Sequence, residues 1–473
     1  MVFSSLLFLF GFFPLFLISY YLTPRKYKNL TLLLFSIVFY AWGAPRFVFF
    51  LLGSVLINFY LVRRMYYSPE RWKRKWLAGI SVANNIGLLG YFKYANFFVE
   101  NVNYLLSALG VHPVVWMNVA LPIGISFFTF QSLTYTVDVY RRVHPPLKNP
   151  FDFLLYIVMF PQLIAGPIVR FQEVADQIYN RKETNEDRLM GFYRFVVGLA
   201  KKVLVADVIG FEVDKIMALD FATLDTTTAW VGIIGFTFQI YFDFSGYSDM
   251  AIGIGRMIGF RFPENFRNPY IAESVTEFWR RWHITFSTFM RNYLYYPFGG
   301  SRVKTKRRLY FNLWFVFLVS GLWHGASWNF VIYGAFHGMF LVMERIFLLK
   351  AYEKIPRWSR IAFAFLVVVI ARVFFRIDGL GPAIQYIDKM FAFDFGPQVY
   401  HPNSFFITMM IIAALLSFIP ALKIGEKLGS LLYPATLSPR GHGLYFAGSL
   451  LVTVLIVATL AGSGFSPFIY FRF

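Results

Sequence analysis

Long apolar runs succeed one another along the whole 473-residue chain, each closed by a short basic or turn-rich segment. A helix needs about 20 residues to cross roughly 30 Å of hydrocarbon. Runs near that length lie at about 2–22, 29–42, 46–62, 76–97, 119–140, 189–210, 228–250, 309–324, 326–349, 359–376, 404–422 and 443–463. They predict an all-α polytopic membrane protein of roughly 11–12 transmembrane helices. Two apolar stretches do not read as simple crossings. In 151–169, Pro161, Gly166 and Pro167 interrupt helical hydrogen bonding, and 285–300 lies between two arginine-bearing segments and carries Arg291 and Asn292. Both are expected to dip into the membrane and return. Irregular backbone at that depth survives only inside protein or beside a watery cavity, so a central pit or tunnel is expected as well.

Composition narrows the class. Hydrophobic residues make up 58% of the chain and charged residues 15%, against roughly 25% charged in soluble domains. Lys and Arg number 45 and Asp and Glu 25, so the net charge is 45 − 25 = +20. The basic residues sit in short clusters between apolar runs, which argues against a nucleic-acid partner and for a lipid bilayer. Lys and Arg in short loops favour the cytoplasmic side. That rule places Arg63, Arg64, 71–75, Arg141, Arg142, Lys148 and 302–308 inside and the amino terminus outside. The first run lacks a preceding basic segment and reads as an uncleaved span rather than a secretory signal. The chain is expected to form one membrane domain, 1–473, with its motif-bearing core at about 160–345 and no boundary in the charged stretch 170–188.

No cysteine is present, so thiol-bound intermediates, disulfides and thiolate metal sites on this chain are excluded. Nucleophile-elbow, phosphate-loop and zinc-helix signatures are also missing. Histidine at membrane depth is the remaining candidate. His324 lies in Ser-Gly-Leu-Trp-His-Gly-Ala-Ser-Trp (320–328), about 24 Å beyond Arg308 at ~1.5 Å per residue. A titratable group there is costly and usually faces a cavity, and an imidazole titrates near neutrality, as a general base must. The alternative is a neutral histidine bridging helices. His283 closes Glu-Phe-Trp-Arg-Arg-Trp-His (277–283), which reads either as an interfacial anchor or as the cytoplasmic wall of the same cavity. Asp243 and Asp249, with Gln239 and Tyr247, lie in an apolar span and need partners, expected to be Arg256, Arg280 or Arg281. On a continuous helix His337 would point about 220° away from His324 and serve structure alone. No three-ligand metal pattern is expected among these residues.

Six stretches taken together resemble the membrane-bound O-acyltransferase superfamily, and within it the bacterial branch that O-acetylates exported alginate. They are Phe-Pro-Gln-Leu-Ile-Ala-Gly-Pro-Ile-Val-Arg (160–170), Gln-Ile-Tyr-Phe-Asp-Phe-Ser-Gly-Tyr-Ser-Asp-Met-Ala-Ile-Gly (239–253), Glu-Asn-Phe-Arg-Asn-Pro-Tyr (264–270), Phe-Trp-Arg-Arg-Trp-His (278–283), Tyr-Leu-Tyr-Tyr-Pro-Phe-Gly-Gly (293–300) and Gly-Leu-Trp-His-Gly (321–325). The resemblance implies helices around a through-membrane tunnel, with His324 and His283 as the catalytic pair. Trp279, Trp282, Trp323, Gln239, Asp243, Tyr247, Asp249, Arg280 and the Asn268–Pro269 pair are then expected to line substrate or tunnel. The implied donor substrate is acetyl-CoA or another acyl thioester, with no bound cofactor, drawn to the basic cytoplasmic face of a bacterial inner membrane. The implied acceptor is a hydroxyl of an exported polysaccharide or of a secreted SGNH-type transferase partner. Peptidoglycan O-acetylation, D-alanyl transfer to teichoic acid and a transporter or flippase are the competing readings; the last makes Asp243 essential and His324 dispensable.

Overall fold

A computed structural model describes residues 1–463 and 468–469, and among them the chain is helix and turn with no strand. Five helices are long and apolar enough to cross a membrane: Pro45–Tyr67, Trp328–Tyr352, Arg357–Arg376, Ser404–Ala421 and Pro439–Gly462. They coincide with five of the expected spans. The remaining expected spans are helical too, but are shorter, as in Phe8–Leu22, or carry polar groups that other helices cover. In 119–140 the helix begins only at Ile125, because Pro122 precedes a turn through Gly124 at φ 76°. Two compact units form, Met1–Thr184 with Ile258–Pro263, and Asn185–Met257 with Glu264–Phe473. The change of unit falls inside the stretch 170–188.

In the first unit, the expected dip at 151–169 is a broken helix. Pro150–Val158 ends at Met159 (ψ 111°), a four-residue turn Phe160–Leu163 follows, and Gly166 turns the chain at φ 102°. Nine helical residues reach only about 14 Å, half of a bilayer core. The segment is buried from Asp152 to Val169, so its freed backbone groups find protein partners. Tyr156 donates to the Val169 carbonyl (2.9 Å), and Gln162 Nε2 donates to the Tyr156 carbonyl (2.6 Å). Phe160 anchors the break, its ring 5.4 Å from Phe12, 4.9 Å from Phe16 and 5.4 Å from Phe39.

In the second unit, two antiparallel helix pairs approach closely through glycine. On the helix Thr226–Met257, a Cβ at Gly246 would lie 2.6 Å from the Gly198 carbonyl oxygen, and one at Gly253 would lie 2.6 Å from that of Gly191. In the pair Lys306–His324 and Trp328–Met343, a Cβ at Gly321 would lie 2.2 Å from the Phe330 carbonyl oxygen. Without a solvent hydrophobic effect between spans, such contact of backbones is a main source of helix association.

The first pair decides the partners of the buried carboxylates and overturns the expected ones. Asp249 accepts from Arg194 (2.9 Å), Lys201 (2.8 Å) and Tyr433 (2.7 Å), while Asp243 pairs with Lys202 (3.0 Å) and accepts from the Ile469 amide (2.8 Å). Arg256 instead pairs with Asp187 (3.2 Å) and Arg281 with Glu277 (2.7 Å). Sequence distance favoured the arginines downstream, whereas the glycine-mediated contact brings the cations of 194–202 against the carboxylates.

Candidate active site

His283 sits at a corner. Ser274 caps the helix Val275–Arg281 by accepting from the Glu277 amide (3.0 Å), and buried Glu344 accepts from the amides of Val275 (2.6 Å) and Thr276 (2.9 Å). A carboxylate at a helix N-terminus satisfies donors that lack helical partners. Trp282 ends that helix, His283 adopts φ 44°, and the six-residue helix Ile284–Phe289 begins. A left-handed histidine is uncommon and must be held by its surroundings. Asn265 holds it: the Asn265 carbonyl accepts from the Ile284 amide (2.9 Å), and its side-chain Oδ1 accepts from Thr285 Oγ1 (2.9 Å).

The same asparagine sets the tautomer of His283. Asn265 Nδ2 donates to Ser248 Oγ (3.0 Å), which leaves Oδ1 as the acceptor facing His283 Nδ1 at 3.0 Å. An amide oxygen cannot donate, so Nδ1 carries the proton and Nε2 carries the lone pair. His283 is fully buried, and Nε2 has no hydrogen-bond partner among the described residues. Replacing Asn265 with alanine is therefore expected to lower turnover about 10–100-fold, the range for losing a group that orients a working imidazole. Asn265→Asp keeps the acceptor and should retain more activity; steady-state rates of the two variants check this, and equal losses would remove the orienting role.

His324 is the last residue of the helix Lys306–His324, about 27 Å from its start at ~1.5 Å per residue. Gly325 then turns extended, at φ −165°, and a Cβ there would strike the Phe330 ring at 2.1 Å. His324 is 3% exposed. Its ring lies 5.0 Å from Trp323, 5.3 Å from Phe375, 5.6 Å from Phe286 and 5.8 Å from Tyr333. Phe286 and Trp323 also flank His283, at 5.0 Å and 6.0 Å. The two histidines thus share two aromatic neighbours.

A cavity of about 350 Å³ approaches this cluster. Trp279, Phe286, Val316 and Ser320 form its inner lining, and Arg280, Arg291 and Arg345 are exposed at its rim. None of these three arginines pairs with a carboxylate among the described residues. Trp279 is 5% exposed and its Nε1 has no hydrogen-bond partner among the described residues. The cavity can therefore take an anion at its mouth and offer one hydrogen-bond donor deeper in. Neither imidazole lines it: Ser320, one turn before His324, and the ring of Phe286 end it.

The other expected lining residues are scattered. Trp279 and Arg280 line the cavity, Trp323 touches the rings of both histidines, and Trp282 is buried beneath the Arg372 guanidinium at 4.3 Å. Gln239 packs on Gly210, Asp243 and Asp249 are in their ion pairs, and Tyr247 lies against Phe468 at 4.7 Å. Asn268 is an exposed turn residue at φ 45° before Pro269, so the asparagine of this motif that touches His283 is Asn265. His337 does not point away. The helix breaks at Gly325, so no single helical rotation relates the two histidines, and His337 lies 4.8 Å from Tyr333 and 5.1 Å from Trp279 in the same aromatic cluster. Sequence reasoning passed over Asn265, Phe286, Glu344 and Arg372. Arg372 is 1% exposed and donates to Tyr333 Oη (3.1 Å); an arginine inside an otherwise apolar run was the available signal.

Residues 28–377 match the membrane-bound O-acyltransferase family. The whole chain is similar to the whole of a probable alginate O-acetylase from Azotobacter vinelandii, 41% identical over 504 aligned residues. A probable alginate O-acetylase from Pseudomonas aeruginosa is 45% identical over 395 residues, covering 83% of this chain and 75% of the relative. The peptidoglycan O-acetyltransferase of Helicobacter pylori is 36% identical over 433 residues, covering 82% and 80%. The helical fold, the ordered histidine motifs and these matches agree, and the chain belongs to the membrane-bound O-acyltransferase family.

Proposed function

We propose that this acyltransferase moves an acetyl group from acetyl-CoA, entering from the cytoplasmic side of a bacterial inner membrane, to a hydroxyl of an exported polysaccharide such as alginate, directly or through a secreted SGNH-type partner. The observation that carries the reading is the cavity with arginines at its mouth and, behind its inner wall, two buried histidines that share Phe286 and Trp323. Coenzyme A is a polyphosphate with a long arm. Its phosphates match the Arg280, Arg291 and Arg345 rim, with the cluster 302–308 adding attraction from beyond Ser301. Its arm and thioester match the narrower interior, where Trp279 Nε1 is a donor for the thioester oxygen.

His324 removes the proton of the acceptor hydroxyl as its oxygen attacks the thioester carbonyl carbon. The oxyanion that forms is stabilised by a positioned donor such as Trp279. On collapse the C–S bond breaks, the acetyl ester is released, and the proton held by His324 passes to the departing thiolate. His283, with Nδ1–H tied to Asn265, presents Nε2 as an acceptor beside the same ring cluster.

The test uses purified protein in liposomes with radiolabelled acetyl-CoA inside and polymannuronate, or peptidoglycan fragments, outside, with and without the secreted partner. Label covalently attached to polymannuronate supports the reading; label on peptidoglycan alone moves the acceptor, and label that crosses without any ester forming removes the transferase reading. Within this assay, Arg291→Glu is expected to raise the donor KM about five- to tenfold, from loss and reversal of one exposed charge contact. The effect should shrink as ionic strength rises; a KM equal to that of the unaltered protein would take Arg291 out of the donor site.

A further inference from the structure

Phe286 occupies a position that neither histidine does. It lines the donor cavity, and its ring also contacts His324 (5.6 Å), His283 (5.0 Å) and Trp323 (4.4 Å). Its planes lie within 25° of His283 and 32° of Trp323, and the residue is 1% exposed. His283 and Trp323 are themselves 6.0 Å apart, so the three rings form a closed triangle, and the buried Phe286 ring has little room to move aside. Yet a carbonyl carbon arriving through the cavity must come within bonding range of a hydroxyl that His324 activates. The space for the acyl group beside His324 is whatever the Phe286 ring yields.

Resting on the donor reading above, we propose that Phe286 sets the length of the transferred acyl group, admitting the two-carbon acetyl group and excluding longer chains. Interiors pack close to crystal density, and an added methylene at such a wall meets occupied space. Discrimination by one methylene in an apolar pocket is about 10–200-fold. Butyryl exceeds acetyl by two methylenes, and truncating Phe286 to alanine removes a six-carbon ring, more volume than the longer chain requires. Leucine removes less and should relax the limit only in part.

The experiment compares acetyl-CoA and butyryl-CoA as donors for the full-length protein, Phe286→Leu and Phe286→Ala. The butyryl-to-acetyl ratio of kcat/KM is expected to rise about tenfold in Phe286→Leu and about 100-fold in Phe286→Ala. A second measurement needs no turnover: calorimetric binding of the unreactive thioethers S-ethyl-CoA and S-butyl-CoA, in which the affinity ratio should move the same way. A ratio within twofold of the unaltered protein, in either measurement, overturns the proposal while leaving the donor reading intact. If the unaltered protein neither transfers from acetyl-CoA nor binds S-ethyl-CoA, the donor reading fails and the role of Phe286 fails with it. Should Phe286→Ala lack a folded state, Phe286→Leu alone decides, because its expected tenfold change exceeds the twofold limit.

Discussion

His324→Ala is expected to reduce acetyl transfer about 1,000-fold, close to the middle of the range for removing a general base. That is about 4 kcal/mol in the barrier. The size follows from what replaces the imidazole: the side chain is 3% exposed among Trp323, Phe375 and Tyr333, so bulk water does not stand ready to take the proton. Truncation also removes packing, and a loss of activity could be confused with a loss of fold. His324→Gln, which keeps most of the volume and cannot act as a base, separates the two effects. Both variants should lose transfer alike in single-turnover reactions with radiolabelled acetyl-CoA, while Gln leaves the unfolding midpoint nearer that of the unaltered protein. Transfer above one tenth of the normal rate in either variant would end the general-base assignment. A transporter mechanism predicts the reverse sensitivity, with His324 dispensable.

Asp249→Leu is expected to cost about 3 kcal/mol of stability, the low end for breaking a buried ion pair from one side. Asp249 is the shared acceptor for Arg194, Lys201 and Tyr433, and its side chain is 8% exposed. Arg194 keeps Glu264 at 2.5 Å, so the charge left most exposed to the loss is that of Lys201. For a chain of this size the unfolding midpoint should fall by about 3 °C, read by thermal unfolding in detergent. Adding Lys201→Met removes the orphaned cation and should recover part of the loss, since it is the unmatched charge rather than the missing contact that costs most. Transfer per folded molecule should persist below the new midpoint. Full stability in Asp249→Leu would show that this cluster is dispensable for the fold.

Much of this was readable in the chain because it is local. Apolar runs report helices, and the Trp-His-Gly and Arg-Trp-His stretches stood out because titratable groups are expensive among such runs. The breaks at 151–169 and 285–300 were legible because their signals are local as well: proline and glycine act on their own turn of helix in the first, and arginines flank and enter the second. The first became the split helix about Met159. The second became Ile284–Phe289 running into a wider π-turn, Met290–Tyr295.

What was misread depended on chain contacts at long range. Asp249 took cations from a helix some fifty residues earlier rather than the arginines just after it, because glycines 198 and 246 bring those two backbones together. Asn268, expected to line substrate or tunnel, is an exposed turn residue, while Asn265 grips His283, because the left-handed corner at 283 folds the motif back on itself. His337 entered the aromatic cluster because the chain leaves helix at Gly325 and the helical angle no longer applies. The sequence by itself therefore determined a multi-pass helical acyltransferase and singled out the two histidine motifs as candidates, since helix formation and motif order are properties of neighbouring residues. Only the tertiary structure decided which polar groups meet, which nitrogen of His283 lacks a partner among the described residues and that one phenyl ring both lines the cavity beside Trp279 and touches His324, since each of these is a distance between segments that the linear order leaves open.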